Sequence, residues 1–101
     1  MDHRLVILAE FALHPGCEPE FRRLVLENAA ASVRDEPGCS LFEVLTPEGG
    51  PGDVIVLYEI YADAAAFDAH LATPHFARFN HATAPLVARK TVRRLSFAAP
   101  P

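Results

Sequence analysis

The chain has only two cysteines, one lysine and no long uninterrupted apolar run. Cys17 and Cys39 do not form a C-x-x-C pair, and two thiols are too few for a disulfide framework. Both are expected to be reduced, small and semi-buried, as in a cytoplasmic protein. A nucleophilic Cys39 would need a cation or a helix N-terminus to lower its pKa, and neither is evident. Lys90 is the single lysine, the net charge is -4, and Arg93-Arg94 is the one arginine pair near it. Phosphate neutralisation needs a basic patch, so nucleic acid is not an expected partner. No apolar stretch approaches the ~20 residues that span a bilayer, so no membrane association is expected. A basic segment leading into an apolar core and a cleavage site is also missing, so no signal peptide is expected and the location is expected to be cytoplasmic. Repeats, charge blocks and low-complexity tracts are absent. The 101 residues suit one domain, 1–101, large enough for a core without staples.

What is present reads as four strands and three helices. Residues 4–14 are a strand candidate, stopped by Pro15-Gly16. Glu18-Pro19-Glu20 opens a helix, with proline in its first turn and acidic groups at the positive end of the dipole. It should run to about Asp35, where Pro37-Gly38 ends it. Residues 39–46 are a second strand, and 47–52 a turn dense in glycine and proline. Residues 53–61 are the longest β-branched run and the third strand. Asp63 suits the N-cap of a helix over about 64–72, and Thr73-Pro74 caps and opens the next. Residues 90–98 are the last strand.

This order predicts an α+β fold, a ferredoxin-like βαββαβ subunit with an antiparallel sheet and helices on one face. The third strand, Val54-Ile55-Val56-Leu57-Tyr58-Glu59-Ile60-Tyr61, is apolar on both faces and so needs cover on both. One layer of helices covers one face; a two-fold homodimer with sheets packed face to face would cover the other.

Polar residues on inward faces mark candidate chemistry. Counted from Phe21, residues Leu24, Val25, Asn28 and Ser32 share one face of the first helix. Asn28 and Ser32 then point at the sheet, and buried polar groups need partners. Either they bond to each other or to backbone, or they line a small-molecule cavity between helix and sheet. The cavity reading is taken first, because two such groups on one face are harder to attribute to packing than one. Glu59 alternates with Ile55, Leu57 and Tyr61 and shares their face. It could be a base, could orient a histidine, or could pair with an arginine such as Arg94. His70 and His75 straddle a helix break and form no H-x-x-x-H pair, so no metal site is expected. His75, in the first turn of a helix beside Phe76 and near Phe79, is the best single candidate for a base.

Several segments together resemble the antibiotic biosynthesis monooxygenase family: Asn28…Ser32-Val33, Glu36-Pro37-Gly38-Cys39…Phe42-Glu43-Val44-Leu45, Tyr58-Glu59-Ile60-Tyr61 with Asp63, and Ala66-Phe67…His70…Thr73-Pro74-His75-Phe76. The resemblance spans residues 5 to 97 and implies a dimeric α+β barrel. The family includes oxidases of quinols and polycyclic phenols that use no metal or organic cofactor, haem degraders, and a related isomerase of phosphorylated autoinducer-2 breakdown products. The haem-degrading branch uses a pocket tryptophan, and this chain has none. The isomerase needs cations for a phosphate, and no phosphate motif is evident. The resemblance therefore implies a monooxygenase acting on a small aromatic quinol or phenol with molecular oxygen, without a cofactor, as a homodimer. The alternatives are the isomerase and a non-catalytic small-molecule-binding dimer. His75 would be the base or proton shuttle. Asn28 would hold the substrate oxygen or an oxygen-derived anion. Glu59 and Ser32 would orient these groups. Tyr58, Phe76 and Phe79 would wall the pocket, and His70 would contact substrate.

Overall fold

The computed structural model describes residues 2–99. The elements, in chain order, are β1 (Leu5–Leu13), α1 (Glu18–Asp35), β2 (Cys39–Leu45), β3 (Val54–Tyr61), α2 (Ala64–Leu71), α3 (Pro74–Thr83), a single 3-10 turn (Ala84–Leu86) and β4 (Val87–Ser96). The strands form one sheet in the order β2-β3-β1-β4, with every neighbouring pair antiparallel. This is the expected ferredoxin-like α+β arrangement. No helix among the described residues is long and apolar enough to cross a membrane.

Local chemistry accounts for the helix ends. Glu18 and Glu20 lie in the first turn of α1, with Pro19 beside them. Glu18 pairs with Arg22 and Glu20 with Arg23, one turn along the exposed side. The helix stops at Glu36, whose backbone turns extended (φ -104°, ψ 110°) ahead of Pro37. Asp63 accepts a hydrogen bond from the Ala66 amide at 2.8 Å and starts α2. Thr73 accepts one from the Phe76 amide at 3.2 Å and starts α3, with Pro74 in its first turn. At Gly38 a side chain is excluded by packing, since a Cβ there would stand 2.6 Å from the Cβ of Ala66.

β4 begins at Val87, three residues before the expected start. The 3-10 turn reverses the chain in three residues, the His14 amide bonds to the Leu86 carbonyl, and Val87 at once pairs with Leu13.

The core lies between the sheet and the helices. Phe21, Val25 and Ala29 of α1 pack on Ile7, Ala9, Phe11 and Leu13 of β1 and on Ile55, Leu57 and Tyr61 of β3. Phe11, Phe21 and Phe79 form a cluster with ring centroids 4.9 to 6.3 Å apart. Residues on the other sheet face, among them Leu8, Val54, Val56, Tyr58 and Ile60, are only half-buried.

Candidate functional site between the sheet and the helices

Asn28 stands where two hollows meet. It lines an outer cleft of about 340 Å³ between α1 and α3, with Leu24, Glu27, Ala31, His75, Arg78, Phe79, His81 and Ala82. It also lines an inner cavity of about 50 Å³ between helices and sheet. Phe79 is the other residue common to both. Asn28 is 3% exposed, and its Oδ1 is buried without a hydrogen-bond partner among the described residues. Buried polar atoms are nearly always paired, so an unpaired one in the wall of a cavity points to a ligand contact.

The inner cavity is walled mainly by apolar groups, including Phe11, Phe42, Leu57, Phe67 and Phe76, with Glu59, His70 and Lys90 as its other polar residues. Glu59 accepts a hydrogen bond from the Tyr61 hydroxyl at 2.6 Å. Burial pushes the Glu59 carboxyl up from 4.5 to about 7; the hydrogen bond from Tyr61 and the charge of Lys90 oppose the rise. Burial, then the Glu59 charge and hydrogen bond, push the Tyr61 phenol upward. Among the described residues Glu59 makes no salt bridge. Arg94 sits instead over the Phe67 ring, 5.3 Å from its centre.

A second buried cluster adjoins both hollows. Glu36 Oε2 lies 2.9 Å from His70 Nδ1 and 2.5 Å from His75 Nε2. The three side chains are 9%, 3% and 9% exposed, and Glu36 Oε1 has no hydrogen-bond partner among the described residues. The cluster joins the C-cap of α1, the last turn of α2 and the first turn of α3. The His70 ring is enclosed by Tyr61, Phe67 and Phe76, with centroids 5.1 to 6.0 Å away. Burial pulls the His70 imidazole down from its ordinary value, and Glu36 pulls the other way. The three donors lie within 4.8 Å of one another, which raises the question of a metal ion. However, one carboxylate oxygen sits between the two nitrogens at hydrogen-bonding distance. Donors on a tetrahedral zinc stand about 3.3 Å apart, as bond lengths near 2 Å require. The three groups as placed can share protons.

The sequence candidates fall into place unevenly. Asn28, Glu59, His70, Phe76 and Phe79 meet around the inner cavity. His75 does not line it; it faces the outer cleft, with Asn28 and Phe79. Ser32 is fully buried but donates to the Asn28 backbone carbonyl at 2.7 Å, the backbone-bonded option, and it lines neither hollow. Tyr58 is a correction. Side chains alternate along β3, so Tyr58 lies on the opposite sheet face, paired with Leu8 and Glu43, and walls neither hollow. Cys39 is buried and its thiol is pushed up to about 11, chiefly by burial, so it is a poor nucleophile. The sequence reading missed Glu36, Phe42, Phe67 and Lys90 as site residues. Glu36 lies directly before Pro37-Gly38, and that tripeptide reads as a helix stop. Its position in the shared Glu36-Pro37-Gly38-Cys39 segment was the available signal.

The sequence and the fold match a known family. The antibiotic biosynthesis monooxygenase model matches residues 4–82, and the chain belongs to that family. A Mycobacterium tuberculosis protein described as "Putative monooxygenase Rv0793" is 27% identical over 89 residues, covering 88% of this chain and 85% of its own. Among solved structures, a Bacteroides thetaiotaomicron protein carrying the same family description is 28% identical. It superposes with a TM-score of 0.89 over 97% of this chain and 92% of its own. PA3566 from Pseudomonas aeruginosa is 25% identical, with a TM-score of 0.89 over 98% of both chains.

Proposed function

We propose that this chain is a cofactor-independent monooxygenase that oxidises a small quinol or phenol with molecular oxygen. The observation that carries the reading is the pairing of Asn28 and His75 in one ring-sized cleft, with His75 braced from behind by the buried Glu36. A cavity of about 150 Å³ holds benzene, so the cleft has room for a substituted ring and the inner cavity does not. The ring would lie against Leu24, Ala31 and Phe79 with its hydroxyl toward Asn28 and His75. With Nε2 directed to Glu36, His75 keeps Nδ1 to accept the phenolic proton, and Glu36 takes up the charge of the imidazolium through that bond. The Asn28 amide would hold the resulting oxyanion. The electron-rich ring can then react with dioxygen, for which the inner cavity has the size and the largely apolar lining. One oxygen atom ends in a hydroxyquinone and the other in water.

The cleft also bears on the isomerase alternative. Its charged groups are Glu27 and Arg78, of opposite sign, so a phosphate would meet one arginine beside a carboxylate. The Mycobacterium tuberculosis relative's description as a monooxygenase points the same way. We further propose a homodimer formed through the sheet face that no helix covers. Leu8, Val56, Tyr58 and Ile60 are half-buried there, and Leu45 is 44% exposed.

Oxygen uptake by metal-stripped protein with reduced menadione and other naphthoquinols tests the activity. Uptake in the wild type, with a loss of about 100-fold or more in His75→Ala, is expected for removal of a general base. Equal uptake in both proteins would remove His75 from the mechanism. Wild-type uptake at the buffer rate across the panel would overturn the quinol assignment.

A further inference from the structure

The two hollows are joined by a hydrogen-bonded path as well as by Asn28. His75 faces the outer cleft and His70 the inner cavity, and each directs one ring nitrogen at the same oxygen of Glu36, at 2.5 and 2.9 Å. The ring centroids are 6.0 Å apart. Asp35 lies near His75, and Cys39 lies near Glu36. An uncompensated charge in such surroundings is costly. The cluster is neutral when it holds three exchangeable protons shared among the carboxyl group and the two rings. In that state His75 Nε2 donates to Oε2, Oε2 shares a proton with His70 Nδ1, and His70 Nε2 carries a proton toward the cavity.

We propose that His75, Glu36 and His70 form a proton relay from the cleft to the inner cavity, with Glu36 as its central carrier. The relay rests on the oxygenase reading. His75 Nδ1 takes the phenolic proton, and its Nε2 proton passes to Glu36 Oε2. The proton on Oε2 passes to His70 Nδ1, and the proton on His70 Nε2 is available in the cavity. Dioxygen adds to the ring carbon of the quinolate, taking its electron pair and forming a carbon-bound peroxide anion that projects past Asn28. The His70 proton neutralises that anion, and the hydroperoxide then loses water to give the hydroxyquinone. The cluster ends with the three protons it began with. Glu36 touches neither substrate nor oxygen in this scheme; it is a positioning and carrying residue.

Nitrogen-15 NMR of the histidine rings tests the relay without a substrate, on the full chain. In the wild type the His75 Nε2–H should give an exchange-protected signal bonded to Glu36, and the His70 Nδ1 resonance should report the proton it shares with the same oxygen. Both rings are bonded to one oxygen of Glu36, so the proton position on His70 should change in His75→Gln and again in Glu36→Gln. The amide signals of β1 and β3 should stay in place and report a retained fold. His70 signals identical in wild type and His75→Gln would overturn the relay and leave the cluster as a pin between helices. With reduced menadione as the probe, His70→Gln should keep its quinol KM and lose about 100-fold in kcat. An unchanged kcat would also overturn the relay while leaving the oxygenase standing. Failure of every quinol in the wild type would overturn the oxygenase reading, with the NMR result deciding the relay separately.

Discussion

The two faces of the sheet are made of similar residues and have different surroundings. Along β3, Ile55, Leu57, Glu59 and Tyr61 face the helices and are at most 4% exposed. Their neighbours Val54, Val56, Tyr58 and Ile60 face away and remain half-buried, with no helix over them. The covered face is closed by packing and contains the polar exceptions: Glu59, Asn28 and His70. The bare face carries a hollow of about 240 Å³ lined by Leu8, Glu10, Val56, Thr91 and Arg93, whose charged residues have opposite signs. Composition alone does not separate a face that folds the subunit from one that assembles it. The distinction comes from what packs on each, and the polar residues trapped on the covered side mark the proposed site.

Perturbing the covered face should have the largest effect on folding. Phe21 has 0% exposure and packs on Phe11 and Phe79. Phe21→Ala should cost about 3–5 kcal/mol, measured by urea denaturation. A loss below about 1 kcal/mol would mean that the cluster is not the core.

Glu59 sharpens the comparison through pH. Its folded pKa is raised from 4.5 to about 7, so between these values the folded chain holds a proton that the unfolded chain has released. Stability is therefore full below about 4.5 and falls as pH rises through 7, by about 3 kcal/mol in all. Glu59→Gln should flatten that slope. An unchanged slope in the variant would assign it to other groups.

Thr73→Ala removes the cap of α3, and a loss of about 1 kcal/mol is expected in thermal melts. Because α3 carries His75, the variant should also lose more oxygen uptake than stability. Equal fractional losses would separate the cap from the site.

The bare face should respond in the opposite sense. Val56→Asp places a charge at its centre. It should cost the subunit's own folding about 1 kcal/mol, because Val56 is half-buried in a strand and faces Glu10 across the sheet. Sedimentation should nevertheless show a dimer in the wild type and a monomer in the variant. A monomeric wild type would leave this face unexplained.

Much of this architecture is legible in the sequence because local signals agree. Pro15-Gly16, Pro37-Gly38, Asp63 and Thr73-Pro74 punctuate the elements, and the period-two alternation of β3 assigns Glu59 to the correct face. The helical spacing of Phe21, Val25, Asn28 and Ser32 correctly turns Asn28 inward. The Glu36 cluster is not legible, because its members lie 34 and 39 residues apart and meet only when three helix ends converge. Tyr58 is placed at the pocket only through the family resemblance, whereas alternation along β3 sends it to the face opposite Glu59. The division between cleft and cavity is also invisible, since it depends on how α1 and α3 pack.

The central claim is that the site lies between α1 and α3 on the covered face. The most direct test is an NMR titration with resorcinol, a phenol that does not form a quinone as hydroquinone does. The account predicts shifts concentrated at Leu24, Asn28, His75 and Phe79, with little change along the bare face. Shifts centred on Leu8, Val56 and Tyr58, with none at Asn28 or His75, would contradict it.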